Sequence, residues 1–461
     1  MIIRQFIFYL FILLGSFGCG AQIELEENVL AKVDDKIITV DDFIKRAELT
    51  PRIRIFSVNG YSGNRALLEM LIGEKLFAIE AIQSGLNLDG EFKRKISIIE
   101  SQAVLRELYA DAVMNLVNIE EEEIHKAFDR LQKTIVIKHF SAETHKDAVS
   151  FRELVEDVGS FDAALRKKMG EDYDEKSHIA KLTWGKVNEK LENSIDKLKP
   201  NEVSILEVNG GYLVLKIDNI IVNPLRTESQ FFQKRSEITK ILRMRKADAQ
   251  SDKFVDDFMK RNGAKIEGRN FGLLVREIEK NVKNISLKQP EIAPIKLMSS
   301  LGESELIRQN WNEAVASFKD GVMTIGDVVQ KLSDRPNPMD KRSITDVKVT
   351  FSNILLEIIR DELLAREGVR RGLHKRKEVR DELRIWRDYF LYNGMINSLD
   401  MKAQSSEDIV FSEKLQKLKT QIPVSINMKK LNSIKLTDIP LLAVRSGQSN
   451  QLAVPPWPQV F

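Results

Sequence analysis

Few side chains in this sequence could carry out covalent or metal-assisted chemistry. Its 461 residues include five His and a single Cys. His139, His145 and His178 lie close together in the sequence, but they have neither the spacing nor the acidic partners that are typical of a metal site. The stretch from Asp172 to Lys176 lacks the Gly and the final Glu of an EF-hand loop. Motifs for phosphate binding, zinc proteases and serine hydrolases are absent, so the sequence predicts no metal and no cofactor.

The single Cys, Cys19, lies at the end of an N-terminal segment that has the pattern of an export signal. Arg4 is the one charged residue of this segment, an apolar run follows it, and small residues surround the Cys. This order predicts a secretory signal over residues 1–21, and the apolar run is too short to span a membrane. The segment also resembles a bacterial lipoprotein signal, which implies lipidation of Cys19. The alternative is cleavage after Ala21 and loss of the Cys.

Composition and charge limit the possible classes of function. At roughly 150 residues per domain, the length predicts about three domains. There are 71 Lys and Arg against 68 Asp and Glu, the formal net charge is +3, and aromatic residues make up 7% of the chain. This balance argues against nucleic-acid binding over an extended surface. One basic stretch, from Arg370 to Arg387, is either a solvated helix face relieved by acidic neighbours or a contact for anionic lipid or acidic clients.

After the signal, residues 22–131 are predicted to form a helical segment. Two short strands around an Asp34-Asp35 turn precede Thr39, which is a suitable N-cap for the helix that follows. A later helix carries one apolar stripe, and Gly85 follows it in the manner of a C-cap. The stripe contains Leu68, Leu71, Ile72, Leu76, Ile79 and Ile82.

Residues 132–222 have the pattern of a compact α+β unit. The stretch from Thr134 to Phe140 is rich in β-branched and apolar residues, and two later strands are joined by Asn209-Gly210, a strong hairpin signal. A long helix and a short strand follow over residues 223–270. They are predicted to complete the first helical module.

Residues 300–430 repeat the helical segment without the α+β unit. Residues 316–327 match residues 31–42 at an offset of 285. The repeat predicts two modules, each closed by a helix and a strand of its own. Residues 431–461, which are rich in proline near their end, are predicted to be extended or disordered.

Together these features resemble the extracytoplasmic parvulin-type peptidyl-prolyl isomerases of the SurA and PrsA group. The resemblance rests on the signal, the first hairpin, the helical segment with its α+β insert, and the stretch Leu198-Lys199-Pro200-Asn201-Glu202-Val203-Ser204. It covers about residues 29–270 and implies a multi-domain α+β fold. That fold has a mainly helical SurA-N-like chaperone module, an inserted parvulin-like domain, and then a second, degenerate helical repeat.

The resemblance also implies where a catalytic pocket lies. His139 follows a strand that looks like the first parvulin strand and is the implied catalytic residue, with Trp184 and Tyr212 as pocket walls. Two implied substrate-binding positions depart from the family, since Leu213 stands where a second His is usual and Leu191 replaces an aromatic residue. These departures imply weak or lost isomerase activity. The alternative is that His139 is an ordinary strand histidine and that the two aromatics belong to the core.

The sequence therefore predicts an envelope folding factor that binds unfolded secreted or outer-membrane polypeptides. It predicts a location in the periplasm or on the outer face of the envelope, a lipid anchor at Cys19 that attaches the chain to a membrane, and no nucleic-acid partner. Amphipathic helices and the 12 Met supply apolar surface for such a role without any catalytic residue. Two alternatives stay open: an active prolyl isomerase, and a structural subunit of an envelope assembly.

Overall fold

A computed structural model describes residues 28–50, 61–208, 210–223, 227–288, 300–334, 347–399, 407–437 and 453–458. Contacts divide the chain into two compact units. We call residues 1–107 with 362–461 the terminal unit, and residues 108–361 the central unit. The predicted signal and Cys19 lie outside the described residues. No helix within the described ranges is long and apolar enough to cross a membrane.

Helices dominate the fold, and short strands join them. The strands, in chain order, are β1 (Val29–Val33), β2 (Lys36–Thr39), β3 (Lys133–Ala142), β4 (Ile179–Thr183), β5 (Val203–Val208), β6 (Gly211–Val222), β7 (Lys265–Ile266), β8 (Ala314–Phe318), β9 (Gly321–Thr324) and β10 (Val424–Ile426). The helices are α1 (Val40–Leu49), α2 (Tyr61–Gln83), α3 (Gly90–Ala112), α4 (Glu121–Leu131), α5 (His145–Val158), α6 (Phe161–Met169), α7 (Glu189–Ile195), α8 (Glu228–Asn262), α9 (Gly268–Lys288), α10 (Glu305–Gln309), α11 (Ile325–Ser333), α12 (Val347–Arg370), α13 (Lys377–Ser398), α14 (Glu407–Gln421) and α15 (Met428–Ser433).

The core of the terminal unit forms around α2. This helix packs against α13, α14, α15 and β1. Phe77 lies in this core, where its ring stacks on Phe411 at 4.9 Å and meets the Tyr392 ring edge-on at 5.9 Å. The predicted apolar stripe of α2 is buried except for Ile82, which is 40% exposed. Gly85 follows the helix in the left-handed conformation with a φ of 78°, as the sequence predicted.

The same core holds a network of buried charges. Arg46 donates to Glu74 at 2.6 Å, and Lys36 donates to Asp388 at 2.6 Å. Lys75 joins the two pairs, since its Nζ lies 3.2 Å from Glu74 and 2.9 Å from Asp388. Burial disfavours the charge on Lys75, but Asp388 and Glu74 more than offset burial, and the pKa of Lys75 is raised. Loss of one partner would leave a buried charge unpaired, so the network fixes α1, α2 and α13 in one arrangement.

Several cations of the basic stretch from Arg370 to Arg387 are paired within the terminal unit. Arg376 donates to Glu107 at 2.9 Å, and Arg384 donates to Asp42 at 2.8 Å. Side chains held in this way favour the solvated helix face over a contact with lipid headgroups.

Two hairpins of the fold are built alike, one in each unit. The Thr39 hydroxyl accepts a hydrogen bond from the Asp42 amide at 3.0 Å, and the Thr324 hydroxyl accepts one from the Asp327 amide at 3.1 Å. In both cases the Asp side chain returns the bond to the Thr amide, which completes a capping box. Both hairpins also shift register at the equivalent position. The two hairpins therefore share their capping box and their register shift.

Each hairpin is completed by the closing strand of the other copy. In the terminal unit β10 pairs with β1, with Ala31 opposite Ile426. In the central unit β7 pairs with β8, with Ala316 opposite Ile266. The prediction that residues 223–270 complete the first module was wrong for the closing strand. Strand β7 of this segment pairs with the second hairpin, and the first hairpin pairs with β10. Two similar hairpins offer equivalent backbone edges, and backbone pairing does not distinguish between them. The chain's path then decides the partner, since β7 follows the 35-residue α8, which is about 52 Å long, and leads through α9 toward β8.

Because β10 closes the first hairpin, the terminal unit is predicted to depend on α14, which precedes β10, and the second hairpin is not. Leu418 of α14 is 2% exposed in the core of the terminal unit, so Leu418→Ala is expected to destabilise that unit by about 2–5 kcal/mol. Hydrogen exchange read by mass spectrometry should show lost protection in β1 and unchanged protection in β8. The matched control, Val315→Ala in β8, should give the opposite pattern. Lost protection in β8 after Leu418→Ala would contradict the exchanged closure.

Candidate functional site

The four-stranded sheet of the central unit places His139 on one of its two faces. The strand order is β4-β3-β6-β5, and β3 is an inner strand. Phe140 of β3 packs with α5 and α6 on one face, whereas Ile137 packs with Ile195 of α7 on the other. Side chains alternate along a strand, so His139 lies on the side of Ile137. We call this side the α7 face.

The structure brings three of the five predicted site residues to the α7 face. Leu213 of β6 and Leu191 of α7 are half-buried and pack against the cluster that contains Ile137 and Leu215. Leu215 is the direct β6 partner of His139. His139, Leu191 and Leu213 therefore share one surface with the apolar side chains of this cluster.

Tyr212 and Trp184 do not join that surface. Tyr212 neighbours Leu213 in β6 and so points to the opposite face, where its ring meets His145 at 5.3 Å. Trp184 follows the end of β4 that pairs with Thr134, about 17 Å along β3 from His139. It is buried with residues of α4 and α8 instead. The implied roles as pocket walls need correction, because strand alternation and the antiparallel course of β4 carry both aromatics away from His139.

His178 is the site residue that the sequence did not predict. It ends a 3-10 turn, Glu175–His178, directly before β4. Its Nδ1 lies 3.0 Å from the carbonyl oxygen of His139, and the two imidazole rings are 6.2 Å apart. Tyr173 stacks on the other side of His178 at 6.0 Å. The available signal was its position immediately before the strand that pairs with the strand of His139.

The environment of His139 favours a neutral imidazole. Burial, with a smaller contribution from the charge of His178, lowers the pKa of His139 below its ordinary value of 6.5. The Nδ1 of His139 is buried, and it has no hydrogen-bond partner among the described residues. A neutral ring on a half-buried apolar surface can contact a peptide carbonyl or amide, but nothing about it activates a nucleophile.

Prolyl isomerisation would make modest chemical demands on this surface. The reaction forms no covalent intermediate and must lower a rotational barrier of about 18–20 kcal/mol. It needs a proline-sized apolar cup together with polar groups that favour the twisted amide. Here Leu191 and Leu213 supply apolar contact on the α7 face, and two imidazoles supply polar contact.

A cavity of about 270 Å³ lies at the other end of the sheet, beside Trp184. Its lining includes Arg130, Lys133, Glu192 and Asp196. Glu192 accepts from the Gly185 amide at 2.6 Å and pairs with Arg245 of α8 at 2.9 Å. The Arg245 guanidinium also lies 5.0 Å from the centre of the Trp184 ring. These contacts join α7, the end of β4 and α8, so we assign Trp184 a structural role.

Comparisons with known proteins name the group that the sequence resembles. No family model and no curated protein matches the chain. A SurA-like chaperone from Campylobacter jejuni is 17% identical over 44% of this chain and 84% of its own, with a TM-score of 0.21. The foldase PrsA of Streptococcus pneumoniae is 15% identical over 50% and 87%, with a TM-score of 0.21. The peptidylprolyl isomerase PrsA of Bacillus cereus is 16% identical over 50% and 91%, with a TM-score of 0.23. Similarity at this level leaves function to be argued from the chain's own residues.

The histidine pair predicts a linked titration. In a His178→Gln variant, the pKa of His139 is expected to rise toward 6.5 and to stay below it, because burial is the larger cause of its depression. NMR titration of the histidine ring protons measures this, and His145→Gln on the opposite face is the control that should change nothing. Below pH 6.5 the unfolded chain binds a proton at His139 more readily than the folded chain. The free energy of unfolding therefore decreases as the pH drops, and it should decrease less in His139→Gln. A His139 midpoint at or above 6.5 in the unsubstituted protein would contradict the account.

Proposed function

We propose that this protein is a folding factor that acts outside the cytoplasm and binds unfolded secreted or outer-membrane polypeptides. Its prolyl isomerase activity is weak or lost. The observation that carries the proposal is a group of three large apolar side chains that are exposed in the central unit next to one buried contact, since an exposed apolar patch can mark a surface that binds other proteins.

Met114 and Leu116 lie in the 3-10 turn that follows α3, and Met244 lies on α8. Val113 packs with Ala247 of α8 in a small buried cluster. Around that contact Met114 is 36% exposed, Leu116 is 63% exposed and Met244 is 57% exposed. We call Met114, Leu116 and Met244 the α3–α8 patch. Unbranched Met side chains adapt to differently shaped apolar partners, which suits a surface that binds many unfolded chains.

The α7 face supports only a minor catalytic role. The resemblance implies a second histidine directly after Gly211-Tyr212, but Leu213 occupies that position. It also implies an aromatic pocket residue, and Leu191 stands in its place. His178 supplies an imidazole from another position, where its Nδ1 is engaged by the carbonyl of His139. An active isomerase is the alternative, and this histidine pair is the feature that would favour it.

Two readouts on two variants separate the candidate functions. Leu116→Ser with Met244→Ser is expected to reduce protection of a denatured client from aggregation by about half, because it removes apolar contact area. His139→Ala should protect as well as the unsubstituted chain, and a protease-coupled assay on a Pro-containing peptide should show little rate enhancement. Leu306→Ser is the matched control, since Leu306 is also exposed, at 41%, on another helix.

Other outcomes of this experiment would identify a different function. A clear rate enhancement that His139→Ala abolishes, with protection unaffected by the patch substitutions, would contradict the proposal in favour of the isomerase. The absence of protection in every variant and in the unsubstituted chain would favour a structural subunit.

We also propose that Cys19 anchors the protein to a membrane through lipid. The support is its position after the apolar run of the predicted signal. Mass spectrometry of the mature protein is expected to find an N-terminal Cys19 carrying acyl chains. A mature chain that begins after Ala21 would contradict the anchor while leaving the chaperone proposal intact.

A further inference from the structure

A short segment near the C-terminus packs into the core of the terminal unit. Residues 453–458 form no helix or strand, and within them Val454 is 7% exposed and Trp457 is 8% exposed. Trp457 belongs to the same buried cluster as Phe43 and Tyr392. The sequence predicted an extended or disordered tail over residues 431–461, and the burial of residues 453–458 was not expected. We call residues 453–458 the tail segment.

Arg46 of α1 recognises the tail segment through its backbone and its aromatic ring. The Arg46 Nη2 donates to the carbonyl of Pro456 at 2.7 Å. The guanidinium lies 5.9 Å from the Trp457 ring centre and 5.7 Å from that of Tyr389. Prolines offer carbonyl acceptors and no amide donor, so a buried donor beside aromatic rings suits an extended, proline-containing segment. We call the surface around Arg46 and Tyr389 the groove. It can bind such a segment mainly through the segment's backbone, with little dependence on most of its side chains.

The tail segment does not satisfy the groove completely. Arg46 is 2% exposed, and its Nε has no hydrogen-bond partner among the described residues. The indole Nε1 of Trp457 is also buried and unpartnered within the part of the chain that the structure describes. An unsatisfied buried donor weakens the binding of the segment that covers it. A segment whose carbonyl reached the Arg46 Nε, and which buried no unpaired donor of its own, would bind better than the tail does.

The groove also extends beyond the tail segment. A cavity of about 270 Å³ lies beside Pro458. Its lining also includes Met70, Gly73, Tyr392, Phe411 and Leu415. Its surface is mainly apolar, and its lining also includes Glu69, Glu74 and Lys419. A longer apolar segment could therefore continue from the position of Pro458 along α2 and α14.

We propose that this groove is a binding site for extended client segments in which an aromatic residue is flanked by proline or aliphatic residues, and that the tail segment is the chain's own competitor for it. The proposal rests on the proposed chaperone function. A tethered competitor acts at an effective concentration on the order of 1 mM, so only clients that bind better than the tail, or at several places, displace it.

The test uses a fluorescent peptide with the sequence of residues 452–461. Fluorescence anisotropy should show at least about tenfold tighter binding to a chain that ends at residue 452 than to the intact chain, because the tethered competitor is gone. A peptide with Ala in place of the tryptophan should bind neither protein. Circular dichroism establishes that the shortened chain is folded, and Trp457→Ala in the intact chain is a milder variant that should also increase peptide binding. Equal affinity for the intact and the altered folded chains would overturn the proposal.

A second measurement needs no substitution. An unfolded client carrying a photo-crosslinking group should react with α1 and α2 near Arg46 in the intact chain, and excess tail peptide should suppress that reaction. Crosslinks confined to the α3–α8 patch would overturn this inference and leave the chaperone proposal standing. The absence of both crosslinks and client protection would instead remove the chaperone proposal itself.

Discussion

The antiparallel pairing of β1 with β10 is the constraint on which the terminal unit depends. It joins residues near the start of the described part of the chain to residues more than 390 positions later, since Ala31 lies opposite Ile426. This pairing brings α14 and α15 onto α2. The buried charges of Arg46, Glu74, Lys75 and Asp388 add a second, directional requirement, because each must find its partner in a dry core. The groove that seats the tail segment exists only when both conditions are met.

Much of the local structure could be predicted from the sequence, whereas the long-range pairings could not. Thr39 was predicted as an N-cap because a capping box involves residues three positions apart, and Thr324 holds the equivalent position in the second hairpin. The position of Tyr212 also follows from local rules, since strand alternation places it opposite Leu213. The exchange of closing strands has no local signal, because two similar hairpins present equivalent edges. His178 and Trp457 were missed for a related reason: a 3-10 turn and a proline-rich tail have weak patterns, and distant elements decide their neighbours.

The protein has two kinds of candidate functional surface, one on a sheet and one on helices. The sheet of the central unit retains a histidine pair on the α7 face, but Leu213 and Leu191 leave it without the residues that the resemblance implies for catalysis. We propose that clients bind instead to the α3–α8 patch and to the groove beside Arg46. Apolar helix surface binds many sequences with little selectivity, whereas the groove adds a buried donor and aromatic rings that select extended segments. A folding factor benefits from both, since the first captures a client and the second holds one part of it extended.

We propose that a client and the tail segment compete for one groove. The indole resonance of Trp457 is the most direct measure of that competition. The chain has four Trp, so the indole signals of a Trp-labelled sample are few and can be assigned by single substitutions. Addition of an unfolded client is expected to move the Trp457 signal to the position of a solvent-exposed indole, while the signal of the structural Trp184 stays in place. A Trp457 signal that remains unchanged while the client is fully bound would contradict the account.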